Sequence, residues 1–200
     1  METILGDVLT WSRFSEPHGY NFNSLLIPHR EGNLCIDPVD PNEEVLSELI
    51  GIGVSRILLT NRNHVRATNR IRESTGARSY IHPDDAAYAK AQGALLDGEL
   101  HVGEKIGPLE VIGASGKSPG EVAFLWSERR CLIVGDAVVG DPRGQFKLLR
   151  ESVMDDPPRL RRSIQQLLGL DFDTILVGDG VSVFGKAKDR LKELVDSFPR

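Results

Sequence analysis

Ile57-Leu58-Leu59-Thr60-Asn61-Arg62-Asn63-His64-Val65-Arg66 is the stretch whose reading decides the fold. Its first half is a run of Ile and Leu, and its second half is polar. That is the pattern of a buried strand that runs into a turn and then a helix. In layered α/β proteins the loop beyond the carboxyl end of a strand is where chemistry sits. Thr60 to Arg66 is therefore the first place to look for a site.

Working outward, Val54 to Thr60 is expected as a central strand, flanked by a helix on each side. Before it, Val45, Leu46, Leu49 and Ile50 have helical spacing over Pro41–Ile50, with Gly51 and Gly53 as its stop. After it, Ala67–Ser74 reads as a helix closed by Gly76. Arg78–Ile81 then reads as a short strand, and Pro83 opens another helix just after His82. Further upstream, residues 1–16 suit an edge hairpin or lead-in strand. Tyr20–Ile27 and Asn33–Ile36 suit two strands joined by a hairpin at His29–Asn33 and stopped at Asp37-Pro38. This run of strands and crossover helices suggests an α/β sheet.

Downstream the pattern changes. Leu95–Ile112 holds short strands separated by Gly98, Gly103 and Gly107. Val122–Trp126 and Arg130–Val134 form a hairpin around Ser127-Glu128-Arg129. Pro157–Leu168 and Ala187–Val195 are amphipathic helices, with the strand Thr174–Val177 between them. The two halves each mix strands with helices.

The 200-residue chain is long enough for one domain with a full core. Hydrophobic residues are 40% and charged residues 26%, a soluble globular composition. The net charge of -5 leaves no basic excess for holding phosphates, which argues against a nucleic-acid partner. No apolar run reaches the length of a membrane span, so no membrane partner is expected. The start, Met1-Glu2-Thr3-Ile4, lacks the basic and apolar regions of a signal peptide. Cys35 and Cys131 each sit in an apolar run, as buried thiols do. These features lead to the expectation of a cytoplasmic protein.

The quoted stretch resembles the metal-binding signature of the metallo-β-lactamase superfamily, in which a strand ends in Thr-His-x-His-x-Asp-His. Three further landmarks follow in the family's order. Ser115-Gly116-Lys117-Ser118-Pro119-Gly120 is similar to the motif that places a His before Ser-Pro-Gly, with Lys117 at the His. Ile133-Val134-Gly135-Asp136 keeps the strand ending in Gly-Asp. Val177-Gly178-Asp179-Gly180 matches a strand ending in Gly-His-Gly, with Asp179 at the His. The resemblance covers roughly residues 20–197. It implies a single domain over 1–200, a four-layer αββα sandwich of two mixed β-sheets flanked by helices. Relatives with every ligand present hold one or two metals and hydrolyse esters, thioesters and lactones.

In this chain most of those ligands are replaced. Metals such as zinc and iron take imidazole, thiolate or carboxylate. Asn61 and Asn63 offer neutral amides, Val65 offers nothing, and Arg66 and Lys117 are cations. Asp136 and Asp179 remain. Slipping the frame by one to use His64 brings Arg62, Arg66 and Ala67 into the other positions, which is no better. The expectation is therefore no metal cofactor, with one weakly bound divalent metal at Asp136 and Asp179 as the alternative. Arg66 and Lys117 would neutralise the two carboxylates in place of metal.

The expected pocket set is Asn61, Arg62, Asn63, His64, Arg66, Lys117, Asp136 and Asp179. It suggests a non-hydrolytic protein, a pseudoenzyme, that binds a small molecule of anionic class or a partner through Arg62, Arg66 and Lys117. The alternative is a hydrolase of ester, thioester or lactone bonds. It would use a single weak metal, or Lys117 or His64 as base. Blander roles stand beside these. Asp136 suits a turn or helix cap, Lys117 a solvated loop, and Asn61 and Asn63 a turn held by local hydrogen bonds. His64 and His82 read as packed or capping residues. His18, His29 and His101 lack clustered partners, and Arg159, Arg161 and Arg162 read as a solvated helix face.

Overall fold

Two compact units make up the computed structural model, Met1–Leu100 and a second that starts at His101; residues 1–199 are described. In the first unit, β1 (Glu2–Leu5), β2 (Val8–Ser15), β3 (Tyr20–Ile27) and β4 (Leu34–Ile36) form an antiparallel meander. β5 (Arg56–Leu58), β6 (Arg78–Ile81) and β7 (Gly98–Glu99) extend the sheet in parallel from β4. Each parallel step needs a crossover, and the sequence supplies a helix for each. These are α1 (Glu43–Ile52), α2 (Thr68–Thr75) and α3 (Pro83–Ala91).

Local chemistry fixes where these helices begin and end. Asn42 caps α1 by accepting from Val45 N, with Glu43 and Glu44 in the first turn. Gly76 ends α2 in the left-handed conformation, at φ 75°. His82 caps α3, and Pro83 occupies its first turn. Leu26, Cys35 and Ile57 on the strands and Leu59 just past β5 join Leu49, Ile71 and Ala89 on the helices in one buried cluster. The alternate residues Leu25, Leu34, Ile36 and Leu58 are buried too, which explains the unbroken apolar runs.

β5 is shorter than the expected Val54–Thr60. Leu59 N still donates to Tyr80 O, but Thr60 N donates to the Asp37 carboxylate instead of a strand neighbour. A side chain takes over from the ladder at that point, so the chain can turn.

In the second unit the sheet order is β13-β12-β11-β10-β9-β8. The strands are β8 (Lys105–Ile106), β9 (Leu109–Gly113), β10 (Val122–Trp126), β11 (Cys131–Val134), β12 (Thr174–Val177) and β13 (Val183–Phe184). All neighbours are antiparallel except β11 and β12. That parallel pair is connected through α4 (Pro157–Leu167), and α5 (Ala187–Asp196) follows β13. Leu160, Ile164 and Leu167 of α4 and Leu191 of α5 pack with Leu132, Val134, Ile175 and Val177. Both cysteines are buried and unbridged. Among the described residues, no helix is long and apolar enough to cross a membrane.

Candidate metal centre

The parallel register of β11 and β12 builds the centre of the second unit. Val134 pairs with Val177, and Gly178 N donates to Val134 O. Asp136 and Asp179 each lie two residues past those paired valines. Equal offsets on registered parallel strands bring the two side chains together. The result is a buried pair of carboxylates, each offering an oxygen within 4.8 Å of the other. Further on, the loops after these strands cross. Gly140 N donates to Asp179 O, and Val181 N donates to Gly140 O at 2.7 Å. A Cβ on Gly140 would stand 2.1 Å from Val181 O, so glycine is required there.

Lys117 reaches Asp136 from the loop between β9 and β10. That loop is pressed onto the start of α4. Asp156 N donates to Gly116 O, Asp155 N donates to Lys117 O, and Ser163 Oγ donates to Ser115 O. Gly116 has φ 140°, and a Cβ there would meet Leu160 N at 2.2 Å. Lys117 Nζ lies 2.5 Å from Asp136 Oδ2, with side chains 7% and 6% exposed. The cation expected beside Asp136 is present, and Lys117 is not a solvated loop residue. Asp136 is an ion-pair member rather than a helix cap.

The first unit holds the turn after β5. Asn61 Oδ1 accepts from Asn63 N, and Asn61 O accepts from His64 N, so Asn61 holds the turn and Asn63 faces solvent. Arg62 N donates to Asp85, Gln92 Nε2 donates to Arg62 O, and the Arg62 guanidinium lies 4.3 Å from the Tyr88 ring centre. Arg66 stacks on Phe22 at 4.2 Å. Both arginines thus spend part of their charge on aromatic faces.

His64 is packed, as expected, but into a polar cluster that the sequence reading does not assemble. Its Nδ1 lies 2.7 Å from Asp37 Oδ2, with side chains 1% and 3% exposed. Thr60 Oγ1 donates to the same oxygen at 2.6 Å, and Thr60 N donates to Oδ1 at 2.8 Å. The sequence marks Asp37 only as the end of a strand. The available signal is Ile36-Asp37-Pro38, placed one parallel strand away from Thr60.

His82 caps α3, and Arg161 pairs with Glu151 while Arg159 and Arg162 are exposed. His18 and His29 make local bonds with Ser15 Oγ and Glu31 N. Burial pushes the Cys131 thiol up to about 12 and the Cys35 thiol further still, so neither is a thiolate ligand near neutrality.

Strand order, the crossover helices and the carboxylate pair define a metallo-β-lactamase type of fold. The comparisons agree. A metallo-β-lactamase superfamily family model matches residues 3–198, and the chain belongs to that superfamily. The structure of TTHA1623, crystallised in a di-iron-bound form, is 26% identical, with 87% of this chain and 94% of that one covered and a TM-score of 0.69. A metallo-β-lactamase from Pontibacter korlensis is 16% identical and superposes with a TM-score of 0.79 over 98% of each chain. A metallo-β-lactamase family protein from Thermus thermophilus is 18% identical, with a TM-score of 0.69 over 94% of this chain and 78% of that one. The four-layer αββα fold class expected from the sequence is the one these structures share. No curated protein matches the chain.

The same comparisons overturn the expectation of no metal cofactor. The relative that is most alike in sequence among these three is in a di-iron-bound form, which points to metal in place of none. The expectation fails because it counts imidazoles at motif positions and treats the carboxylates as neutralised by cations. In the second unit two buried carboxylates lie close together, with Lys117 paired to Asp136, and oxygen donors suit a divalent cation. That donor pair fits one divalent ion.

Proposed function

We propose that this chain is a metal-dependent hydrolase of ester, thioester or lactone bonds, with Asp136 and Asp179 as carboxylate ligands of one divalent cation. The observation that carries the reading is the buried pair itself. Two carboxylates this close repel unless a positive charge is shared between them. Lys117 pairs with Asp136, and a divalent cation held by both carboxylates would neutralise the pair's own charge of -2. When bound, such an ion polarises a carbonyl and lowers the pKa of water from about 15.7 towards about 7.

The chain's own residues prepare this centre. The β11–β12 register and the crossing at Gly140 and Gly180 set the separation of the carboxylates. Lys117 orients Asp136. The family match and the iron of TTHA1623 support the metal.

The test is metal content followed by turnover. Protein loaded with manganese, iron, cobalt or zinc and dialysed should retain about one ion per chain by plasma mass spectrometry. Asp136→Ala and Asp179→Ala should each lose it. Loaded wild type should then hydrolyse members of an ester, thioester and lactone panel. Metal retained equally by both variants would sink the assignment.

A second reading is favoured by the absence of imidazole at the motif positions Asn61, Asn63, Lys117 and Asp179. It is metal-dependent binding of a small anionic molecule without turnover. Full metal content with no hydrolysis across the panel would favour it.

A further inference from the structure

We propose that α4 carries a second binding site, a groove that takes the phosphate group of a small soluble molecule on Arg159 and Arg162. The site is independent of the metal reading and lies wholly in the second unit. The groove has a volume of about 460 Å³, within the range of small-molecule pockets, and is lined by Ser115, Asp156, Arg159, Arg162, Ser163 and Gln166.

Helical spacing builds one wall. Arg159, Arg162, Ser163 and Gln166 follow one another at offsets that set them along a single stripe of α4. Ser163 Oγ donates to Ser115 O at 2.7 Å and ties the facing wall, the loop before β10, to the helix. Gly116, at φ 140° with no room for a Cβ beside Leu160, lets that loop lie close.

The two arginines differ from an ordinary solvated face in their pairing, their position and their neighbours. Arg70, Arg72, Arg130, Arg161 and Arg190 each pair with a carboxylate. The guanidinium groups of Arg159 and Arg162 form no ion pair or hydrogen bond with the described residues, although the chain carries a net charge of -5. Arg159 also stands in the first turn of α4, which holds no acidic residue. The helix dipole makes that end positive, so it disfavours a cation and favours a bound anion. A residue kept against its local preference marks a functional position.

The donors around the arginines define the anion. The side chains of Ser115 and Gln166 have no hydrogen-bond partner among the described residues. Two guanidinium forks, a hydroxyl and an amide supply more donors than the two oxygens of a carboxylate accept. They suit the three terminal oxygens of a phosphate monoester. Asp156 limits the charge. Its Oδ1 accepts from Arg159 N at 2.9 Å as the helix cap, and its negative charge stays at the groove. Two arginines less one carboxylate leave the groove net positive.

The probe is phenyl phosphate, added to the full chain in chelator at constant ionic strength and read in 15N spectra. The amides of Ser115, Arg159, Arg162 and Gln166 should shift and saturate, with a Kd of about 1 mM or tighter. Phenol and matched sodium chloride should not reproduce the shifts. Arg159→Gln and Arg162→Gln should each weaken binding about tenfold, the worth of hydrogen bonds to a charged group. Asp156→Asn keeps a good cap and removes the charge, so it should tighten binding about threefold. Urea denaturation without phosphate supplies the control. Arg159→Gln should keep or raise the midpoint, because it removes a cation from the positive end of the helix.

Shifts that grow without saturating, or that chloride reproduces, would mean a solvated face and overturn the site. Saturable binding that neither arginine variant weakens would place the phosphate elsewhere and overturn it too. A clear fall in the urea midpoint of Arg159→Gln would show an arginine kept for stability, and the argument from its position would fail.

Discussion

Removing one member of the Lys117–Asp136 pair should destabilise the metal-free protein strongly, and removing both should restore much of the loss. Nζ and Oδ2 are 2.5 Å apart, and both side chains are more than nine-tenths buried. At an effective dielectric of about 20, two unit charges at that distance attract by about 7 kcal/mol. Desolvation of both ions offsets much of this, so the pair as a whole contributes little. The single variants behave differently, because each strands a charge. Asp136→Ala or Lys117→Met should therefore lose about 3–5 kcal/mol. With a urea m-value of about 2 kcal/mol/M, the midpoint should fall by about 1.5–2.5 M. The double variant should recover at least about 1 kcal/mol of the summed loss, the signature of coupled neighbours. The measurement is urea denaturation in chelator, so that bound metal does not enter the cycle. Losses that simply add across the two sites would refute the pairing argument. Single-variant losses below about 1 kcal/mol would show that the charges are solvated.

Three other outcomes are expected. A divalent ion at a hundredfold excess over Kd should stabilise the wild type by about 2.7 kcal/mol, raising Tm by about 5–11 °C, while Asp136→Ala combined with Asp179→Ala should not respond. Differential scanning fluorimetry with and without manganese or zinc measures this. Gly140→Ala should lose about 2–4 kcal/mol in urea, because its Cβ would stand 2.1 Å from Val181 O, and an unchanged midpoint would mean the crossing yields easily. The Cys131 thiol is raised from 9.0 to about 12, so the unfolded chain loses this proton first as pH rises. The contribution is complete below about pH 9 and declines between about pH 9 and pH 12. Cys131→Ala should accordingly show a smaller fall in urea midpoint from pH 8 to pH 10.5 than the wild type.

Elements whose cause is local can be read from the chain. Tyr20–Ile27, Arg78–Ile81 and Thr174–Val177 are each expected at their observed bounds, because apolar runs and turn residues delimit them. Asn42, Gly76 and His82 mark helix ends by their own chemistry. Lys117 beside Asp136 is legible from motif order, since a carboxylate aimed inward needs a cation. What is not legible depends on separations in sequence that folding closes. Asp37 and His64 are 27 residues apart, and their contact requires β4 and β5 to be parallel neighbours and Asp37 to adopt a positive φ. The length of β5 escapes for the same reason, since it is the Asp37 carboxylate that captures Thr60. The metal is misjudged when motif positions are scored singly, because the charge of the carboxylate pair is a property of two strands in register.

The crossing of Gly140 and Gly180 separates two kinds of constraint on this chain. Main-chain hydrogen bonds at the crossing, and valines behind it, hold Asp136 and Asp179 at their spacing. None of those contacts involves the identity of residues 61, 63 or 66. Substitutions at those three positions can therefore accumulate without unfolding the second unit. Each alters the turn of the first unit while the cradle of the second stays intact. A lineage built this way can change that turn one residue at a time and still fold.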